Sequence, residues 1–353
     1  MRLEDLPIPI IQAPMVGASS LAMALAVTGA GGLGSIGAGA SAPAEIEAEA
    51  ARMRAATDGP FGVNLFILAP ARPAPDAIDA AIARLRPWYE ARGLAVPAPP
   101  NAFAPDFDAQ FAALARAAPP LASFTFGILT GEQVAALKAV GSLVVGTATT
   151  VAEARAWAEV GADAICVQGC EAGGHRGTFL ADVDNSLIGT MALVPLVRQA
   201  TGLPVIAAGG IMDGRGVAAA LALGAVAAQM GTAFLLSDQT AASKPWRRAI
   251  ETAPDDPTRL TRAFSGRFAR GIENDFTRTM RPMEREVPAY PVQNRLTQAL
   301  RAGAARLDDP QAMSLWAGQA VRLAEPGDAG DMVRRWWDEA KTVARELSER
   351  AGR

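Results

Sequence analysis

The chain has 353 residues, half of them hydrophobic, with a formal net charge of −3 and a pI near 5.5. That length allows one large domain with an appendage, or two ordinary domains. The mild acidity argues against nucleic acid or an anionic membrane as a partner, and two cysteines with a single histidine are too few for a disulfide framework or a common zinc site.

The N-terminus, M-R-L-E-D-L-P, shows no signal-peptide pattern. Residues 6–44 carry no charge, which is long enough to cross a bilayer. Pro7, Pro9, Pro14, Pro43 and many glycines interrupt them, so the stretch reads as a buried strand–helix–strand in a cytoplasmic protein. Within it, P-I-I-Q-A-P-M at 9–15 holds a short strand, and Ser19 or Ser20 can cap a helix over Leu21–Thr28. Gly29, Gly31 and Gly34 match G-x-G-x-x-G literally. A dinucleotide fingerprint needs a strand before it and a helix after it. Here a helix comes first and a strand, Leu33–Gly37, follows, so the match is rejected.

The pattern then repeats. Helix Ala42–Thr57 leads to strand Phe61–Leu68, and helix Ala77–Arg92 leads to a proline-rich insertion at 95–105, read as a surface loop. Helix Phe107–Ala117 precedes strand Ala122–Ile128, Glu132–Val140 precedes Leu143–Thr149, and Val151–Val160 precedes Ala164–Gln168. Helix Met191–Ala200 precedes Pro204–Ala208, Gly214–Leu223 precedes Val226–Met230, and a helix near Ala242–Glu251 closes the series. The strands are continuous apolar runs, as in a parallel sheet covered on both faces. Gly-Ala follows the helices at 161–162 and 224–225, as a C-cap would. Eight such units predict an α/β fold, a (β/α)8 TIM barrel over residues 1–255; an open doubly wound sheet is the alternative. Beyond 255 the rhythm stops. Residues 256–353 read as irregular segments and then helices, Pro310–Ala324 and Asp331–Glu349 among them, forming a mostly helical extension that packs on the barrel as a substrate-side lid.

Active sites of such barrels gather at the C-terminal strand ends. These carry Gln12 to Met15, Gly37 to Gly39, Asn64, Phe126 to Ile128, Thr147 to Thr150, Gln168 to His175, Ala208 to Gly210 and Gln229 to Thr232. Most are small or polar and few are charged, which suits a neutral, hydrogen-bonding cofactor ring better than a metal. The only histidine, His175, sits on a glycine-rich loop straight after a strand, and histidine is the side chain that titrates near neutral pH. A-A-G-G-I at 207–211 and Q-M-G-T at 229–232 follow the last two strands. Glycines there let backbone N–H groups converge on an anion, which predicts a phosphate-bearing cofactor. Cys170 and His175 could instead form a nucleophilic pair, though this is disfavoured. Arg176 either assists an anion or faces solvent, Glu171 reads as a loop-ordering carboxylate, and Trp336-Trp337 reads as a packing or subunit contact.

P-I-I-Q-A-P-M, F-G-V-N-L-F, S-F-T-F-G, Q-G-C-E-A-G-G-H-R-G, A-A-G-G-I and Q-M-G-T, in this order, resemble the nitronate monooxygenases, formerly called 2-nitropropane dioxygenases. S-L-W-A-G-Q at 314–319 resembles that family's C-terminal signature. The resemblance runs from residue 9 to about 320, and its most specific part is the histidine loop, which the related FMN-dependent enoyl-ACP reductases share. It implies an FMN barrel that oxidises alkyl nitronates with O2 to a carbonyl compound and nitrite. His175 is then the catalytic acid–base or nitronate-binding residue. Asn64, Gln168, Gly173, Gly209, Gly210, Gln229, Met230, Gly231 and Thr232 would hold FMN, with Ala13, Pro14 and Met15 lining the flavin. Two readings stay open beside it: an enoyl-thioester or quinone reductase using NAD(P)H and FMN, and a non-catalytic barrel that binds flavin or a phosphate ligand. The oligomeric state is open, a homodimer included.

Overall fold

Short runs rich in Ile, Val and Ala become strands because their side chains can be buried on both faces. In the computed structural model, which describes residues 1–352, these are β1 (Ile10–Gln12), β2 (Gly34–Gly37), β3 (Phe61–Phe66), β4 (Leu121–Thr125), β5 (Leu143–Ala148) and β6 (Ala164–Gln168). After a two-residue strand, β7 (Gly174–His175), come β8 (Val205–Ala208) and β9 (Ala227–Met230). All but β7 form a parallel sheet in the order β1-β9-β8-β6-β5-β4-β3-β2. Its two ends meet where Ile11 bridges Leu33 and the Leu33 N–H donates to the Ile10 carbonyl at 3.0 Å. The fold is the expected (β/α)8 barrel.

The helices run back outside it: α1 (Leu21–Gly29), α2 (Pro43–Ala56), α3 (Pro75–Glu90), α4 (Phe107–Ala117), α5 (Gly131–Ala139), α6 (Val151–Glu159), α7 (Thr190–Thr201) and α8 (Gly214–Ala222). Their starts are set by local chemistry. Ser20, Asp106, Thr130, Thr150 and Asp213 each accept a backbone N–H from the first turn, which satisfies donors the helix itself cannot pair. Gly161 and Gly224, at φ +90° and +98°, end α6 and α8 as left-handed caps. The rejected glycine triplet lies between α1 and β2, where a Cβ on Gly34 would come within 2.1 Å of the Ala24 carbonyl oxygen. Close helix–strand packing explains that glycine. The main core lies between strands and helices and includes Val63, Phe124, Trp157, Val167, Leu193 and Val205. Each such aliphatic side chain, fully buried, stabilises the fold by roughly 1.5–3 kcal/mol.

After α9 (Lys244–Glu251) the chain departs from the expected irregular segment. It forms an antiparallel hairpin, β10 (Thr258–Thr261) and β11 (Ala269–Ile272), and β11 then pairs with β7 through Ala269 opposite His175. These strands are short and rich in Arg and Thr, so they carry no apolar run to betray them. The helices α10 (Asp275–Met280), α11 (Val292–Leu296) and α12 (Gln298–Arg306) follow. The expected helix over Pro310–Ala324 does not form. Two 3-10 turns, Pro310–Ala312 and Val321–Leu323, flank an extended stretch there. Its backbone is claimed by β11, with Ile272 N–H donating to the Leu315 carbonyl at 2.8 Å and Trp316 bridging Gly271. The last helix, α13 (Ala329–Ala351), packs on α8 and α1 and buries Trp336 against Phe234, ring centroids 5.1 Å apart.

The residues after α9 share a second apolar core with α3: Ile78, Leu85 and Tyr89 lie among Phe264, Phe276, Leu296 and Leu300. The Tyr89 hydroxyl donates to the Leu296 carbonyl at 2.6 Å and accepts from Leu300 N–H at 3.1 Å, and Arg92 pairs with Asp309 at 2.6 Å. No helix is long and apolar enough to cross a membrane among the described residues.

Candidate active site

The C-terminal strand ends surround a cavity of about 600 Å³, within the usual range for cofactor sites. Parallel register sets the ring of residues at its floor, because Gly37 stands beside Asn64, Gln168 beside Ala208, and Ala208 beside Gln229. The Asn64 amide donates to Ser123 Oγ at 3.0 Å, and Thr125 and Thr147 hydroxyls meet at 3.3 Å. The Ala13–Met15 turn is held from below. Buried Gln12 accepts from Ser35 N–H at 2.9 Å and donates to Ser19 Oγ at 2.8 Å, and that hydroxyl accepts from Met15 N–H at 2.9 Å. Ser20 is therefore the helix cap, and Ser19 serves the turn.

Ala13, Pro14, Met15, Asn64, Gln168, Gly173, His175, Gly209, Gly210, Gln229, Gly231 and Thr232 all line the cavity. Met230 does not: strand alternation turns it outward into the main core, and its carbonyl accepts from Ala13 N–H at 2.8 Å. The two glycine turns lie side by side after β8 and β9. Gly209 and Gly210 have φ of +119° and +73°, conformations that favour glycine. The backbone N–H groups of Gly209, Gly210, Gly231 and Thr232 find no protein acceptor among the described residues. Four such donors at neighbouring strand ends form a place for an anion.

His175 is held by its loop rather than by its ring. Gln168 donates to the His175 carbonyl at 3.0 Å and accepts from Gly177 N–H at 2.8 Å. Arg176 is buried beneath the loop, neither at the cavity nor in solvent, and donates to the carbonyls of Gly169, Gln168 and Ser186 at 2.7–3.1 Å. Fully buried Glu153, on the first turn of α6, accepts from Thr149 N–H and Oγ, Thr178 Oγ, and Phe179 and Leu180 N–H. Burial alone would raise its pKa, but these hydrogen bonds outweigh burial and hold the carboxyl below the usual range. Glu171, as expected, orders the loop by accepting from Thr190 N–H and Oγ at the start of α7.

The imidazole stands among Phe126, Tyr290 and Trp316, with centroids 5.4–5.6 Å away. Its Nε2 has no partner among the described residues. Desolvation pushes its pKa down to about 3, with Arg267 and Arg301 adding to the effect, so the ring is neutral at ordinary pH. Arg267 lies 4.2 Å over the Phe126 ring and donates to the carbonyls of Arg176 and Thr178. Arg295 and Arg301 line the cavity, and among the described residues no Asp or Glu does, which favours an anionic ligand. Cys170 is not part of the lining, so no thiol–imidazole pair faces the cavity; Cys166 is, but burial pushes its thiol up to about 12.

Phe126 entered the sequence reading only as a strand-end residue, and Trp246, Tyr290, Arg267, Arg301 and Trp316 were not among the site residues expected from the sequence. Trp316 lies within S-L-W-A-G-Q and Phe126 within S-F-T-F-G, and those motifs were the available signals. Trp246 comes from α9, and Tyr290, Arg267 and Arg301 arrive only through the fold of the segment after it. The proline-rich 95–105 stretch is more than a surface loop, because Ala102, Phe103, Ala104 and Pro105 form part of the cavity wall.

Residues 2–338 match the family model described as nitronate monooxygenase. A probable nitronate monooxygenase of Staphylococcus aureus (strain Newman) is 42% identical over 94% of both chains, and one of Staphylococcus haemolyticus is 38% identical over 96% of both. Among solved structures, a nitroalkane oxidase from Streptomyces ansochromogenes superposes with TM-score 0.89 at 41% identity, covering 97% of this chain and 99% of that one. FabK from Thermotoga maritima superposes with TM-score 0.76 at 29% identity, covering 98% and 97%.

Proposed function

The chain belongs to the nitronate monooxygenase family of oxidoreductases, and from that premise we propose that it is an FMN-dependent enzyme oxidising alkyl nitronates with O2 to a carbonyl compound and nitrite. The observation that carries the reading is the neutral His175 ring with an unpaired Nε2, in a cavity that holds arginines and no carboxylate.

The residues present fit FMN. The unpaired N–H groups at Gly209, Gly210, Gly231 and Thr232 suit its phosphate, at the last two barrel strands, where such folds commonly bind phosphate. Ala13–Met15, Asn64, Gln168, Gly173 and Gln229 supply a small, uncharged wall for its ring system. When bound, FMN accepts the substrate's electrons and passes them to O2.

The protein's own groups do the rest. Arg295 and Arg301 draw the anionic nitronate into the cavity. Nε2 of His175, held on the clamped loop, is free, according to its tautomer, to donate its N–H to a nitro-group oxygen or, unprotonated, to take the α-carbon proton. Phe126, Tyr290 and Trp316 keep bulk water from the ring. The segment from 256 onward forms the substrate-side wall.

The deciding experiment is aerobic turnover of a small nitronate with no nicotinamide present. O2 uptake with nitrite release is expected. Rapid NAD(P)H-dependent reduction of an enoyl thioester, with no nitrite from nitronates, would replace this reading with the reductase one.

A further inference from the structure

The connection from β3 to β4 is long, and one part of it is held in an unusual way. Between Leu94 and Asp106 no backbone group makes a hydrogen bond to protein among the described residues. Pro97, Pro99, Pro100 and Pro105 remove donors and stiffen the run. Its N-terminal end is fixed by Leu94, which lies on Gly303 so closely that a Cβ there would come within 2.4 Å of it. Its C-terminal end is fixed by Asp106, which caps α4. Between these ends only side chains hold it: Val96 and Phe103 pack against the second apolar core. Phe103 therefore does two things, anchoring the loop and presenting its ring to the cavity that His175 lines.

The barrel order tells which part of a substrate would meet it. The glycine turns follow β8 and β9, while the loop joins β3 to β4, and in the order β1-β9-β8-β6-β5-β4-β3-β2 these pairs stand across the barrel from one another. The far side is apolar and aromatic: Phe66, which ends β3, and Phe126, which follows β4, have ring centroids 4.5 Å apart, and Ala102, Ala104 and Pro105 adjoin Phe103 in the wall. A nitronate has a charged head that must face His175 and an alkyl group that gains by leaving water.

We propose that Phe103 is a specificity-determining residue that sets the longest alkyl chain the site accepts. The proposal rests on the nitronate reading above and adds the substrate class within it: the apolar wall takes the chain, and the Phe103 ring ends it.

The test uses the flavin-loaded enzyme and two straight-chain series, nitronates for kcat/KM and the unreactive alkanoates, from acetate upward, for equilibrium binding by calorimetry. In the wild type, affinity should rise roughly fourfold per methylene while apolar space lasts and then stop rising at a definite chain length. Phe103→Ala should move that break to longer chains and Phe103→Trp to shorter ones, in both series, with the shortest members changed less than about twofold. The same break in all three proteins, at equal flavin content and equal melting temperature, overturns the proposal. A wild type that releases no nitrite from any nitronate overturns the parent reading, and this one with it.

Discussion

A histidine with its pKa pushed down to about 3 is not the near-neutral switch that an isolated histidine would be. It is the only one in the chain, so a ¹⁵N-histidine-labelled sample should give one imidazole spectrum, and that spectrum should stay neutral from pH 8 to pH 5. Protonation near 6.5 would refute the buried, unpaired environment. Between about pH 6.5 and 3 the unfolded chain binds a proton here that the folded one does not, so this residue makes stability fall as pH drops through that window. His175→Ala leaves the loop backbone unchanged, so it should keep flavin yet lose turnover by ~10²–10⁴-fold if the ring moves protons. Neutral nitroalkanes, which need their α-proton removed, should suffer at least as much as preformed nitronates. A fully active His175→Ala enzyme would refute the role while leaving the family membership intact.

Two elements around that residue can be tested separately. The glycine turns after β8 and β9 should fail differently. Gly210→Val forces a branched residue to φ +73° and towards the Glu171 side chain 3.2 Å from the new Cβ, so strain and lost anion contacts combine. Gly231 has φ −113°, outside the left-handed region that favours glycine, and a new Cβ there meets Ala13 and Met15 at ordinary contact distances of 3.4 and 3.5 Å. Gly231→Val should therefore keep the melting temperature of the flavin-free protein while weakening FMN binding, by roughly 1.5–3 kcal/mol for each charge-assisted hydrogen bond lost. Flavin affinity unchanged in both variants would mean the phosphate lies elsewhere. The other element is the clamp on the histidine loop. Glu153→Gln replaces one acceptor oxygen with a donor facing Thr149 or the 178–180 backbone, and removes a negative charge that acts on buried Arg176 and Arg267. Expected are a loss of about 1–3 kcal/mol in stability and a fall in kcat with FMN retained; wild-type kcat in a stable variant would show that His175 is placed without this clamp.

At the scale of the whole molecule, the barrel and the segment after α9 are joined by more than surface contact. Strand β11 builds on the histidine loop itself, and α3 shares the second core. Tyr89→Phe removes the donor to Leu296 and leaves the Leu300 N–H buried without an acceptor, a cost of about 1–3 kcal/mol. The variant should melt lower in one cooperative transition, followed by flavin release and by circular dichroism alike. Two separate transitions would show that the joint does not couple the parts.

The barrel was legible in the amino-acid sequence because its signals are local. Continuous apolar runs of strand length, a capping serine at 19 or 20, and glycine exits at Gly161 and Gly224 each act within a turn or two, and eight repetitions leave little choice of architecture. The same locality exposed the histidine loop and the glycine turns, which lie at strand ends by construction. What only the tertiary structure decided lies outside that reach. Leu315 and Trp316 are extended rather than helical because β11 claims their backbone. Arg176 is buried because three carbonyls of its own loop converge on it. Met230 faces the core because strand alternation turns it away from the cavity that Gln229 and Gly231 share. The low pKa of His175 is the sharpest case: Phe126, Tyr290, Trp316, Arg267 and Arg301 are distant in sequence, and desolvation depends on what surrounds a group in space, which no run of neighbouring residues encodes.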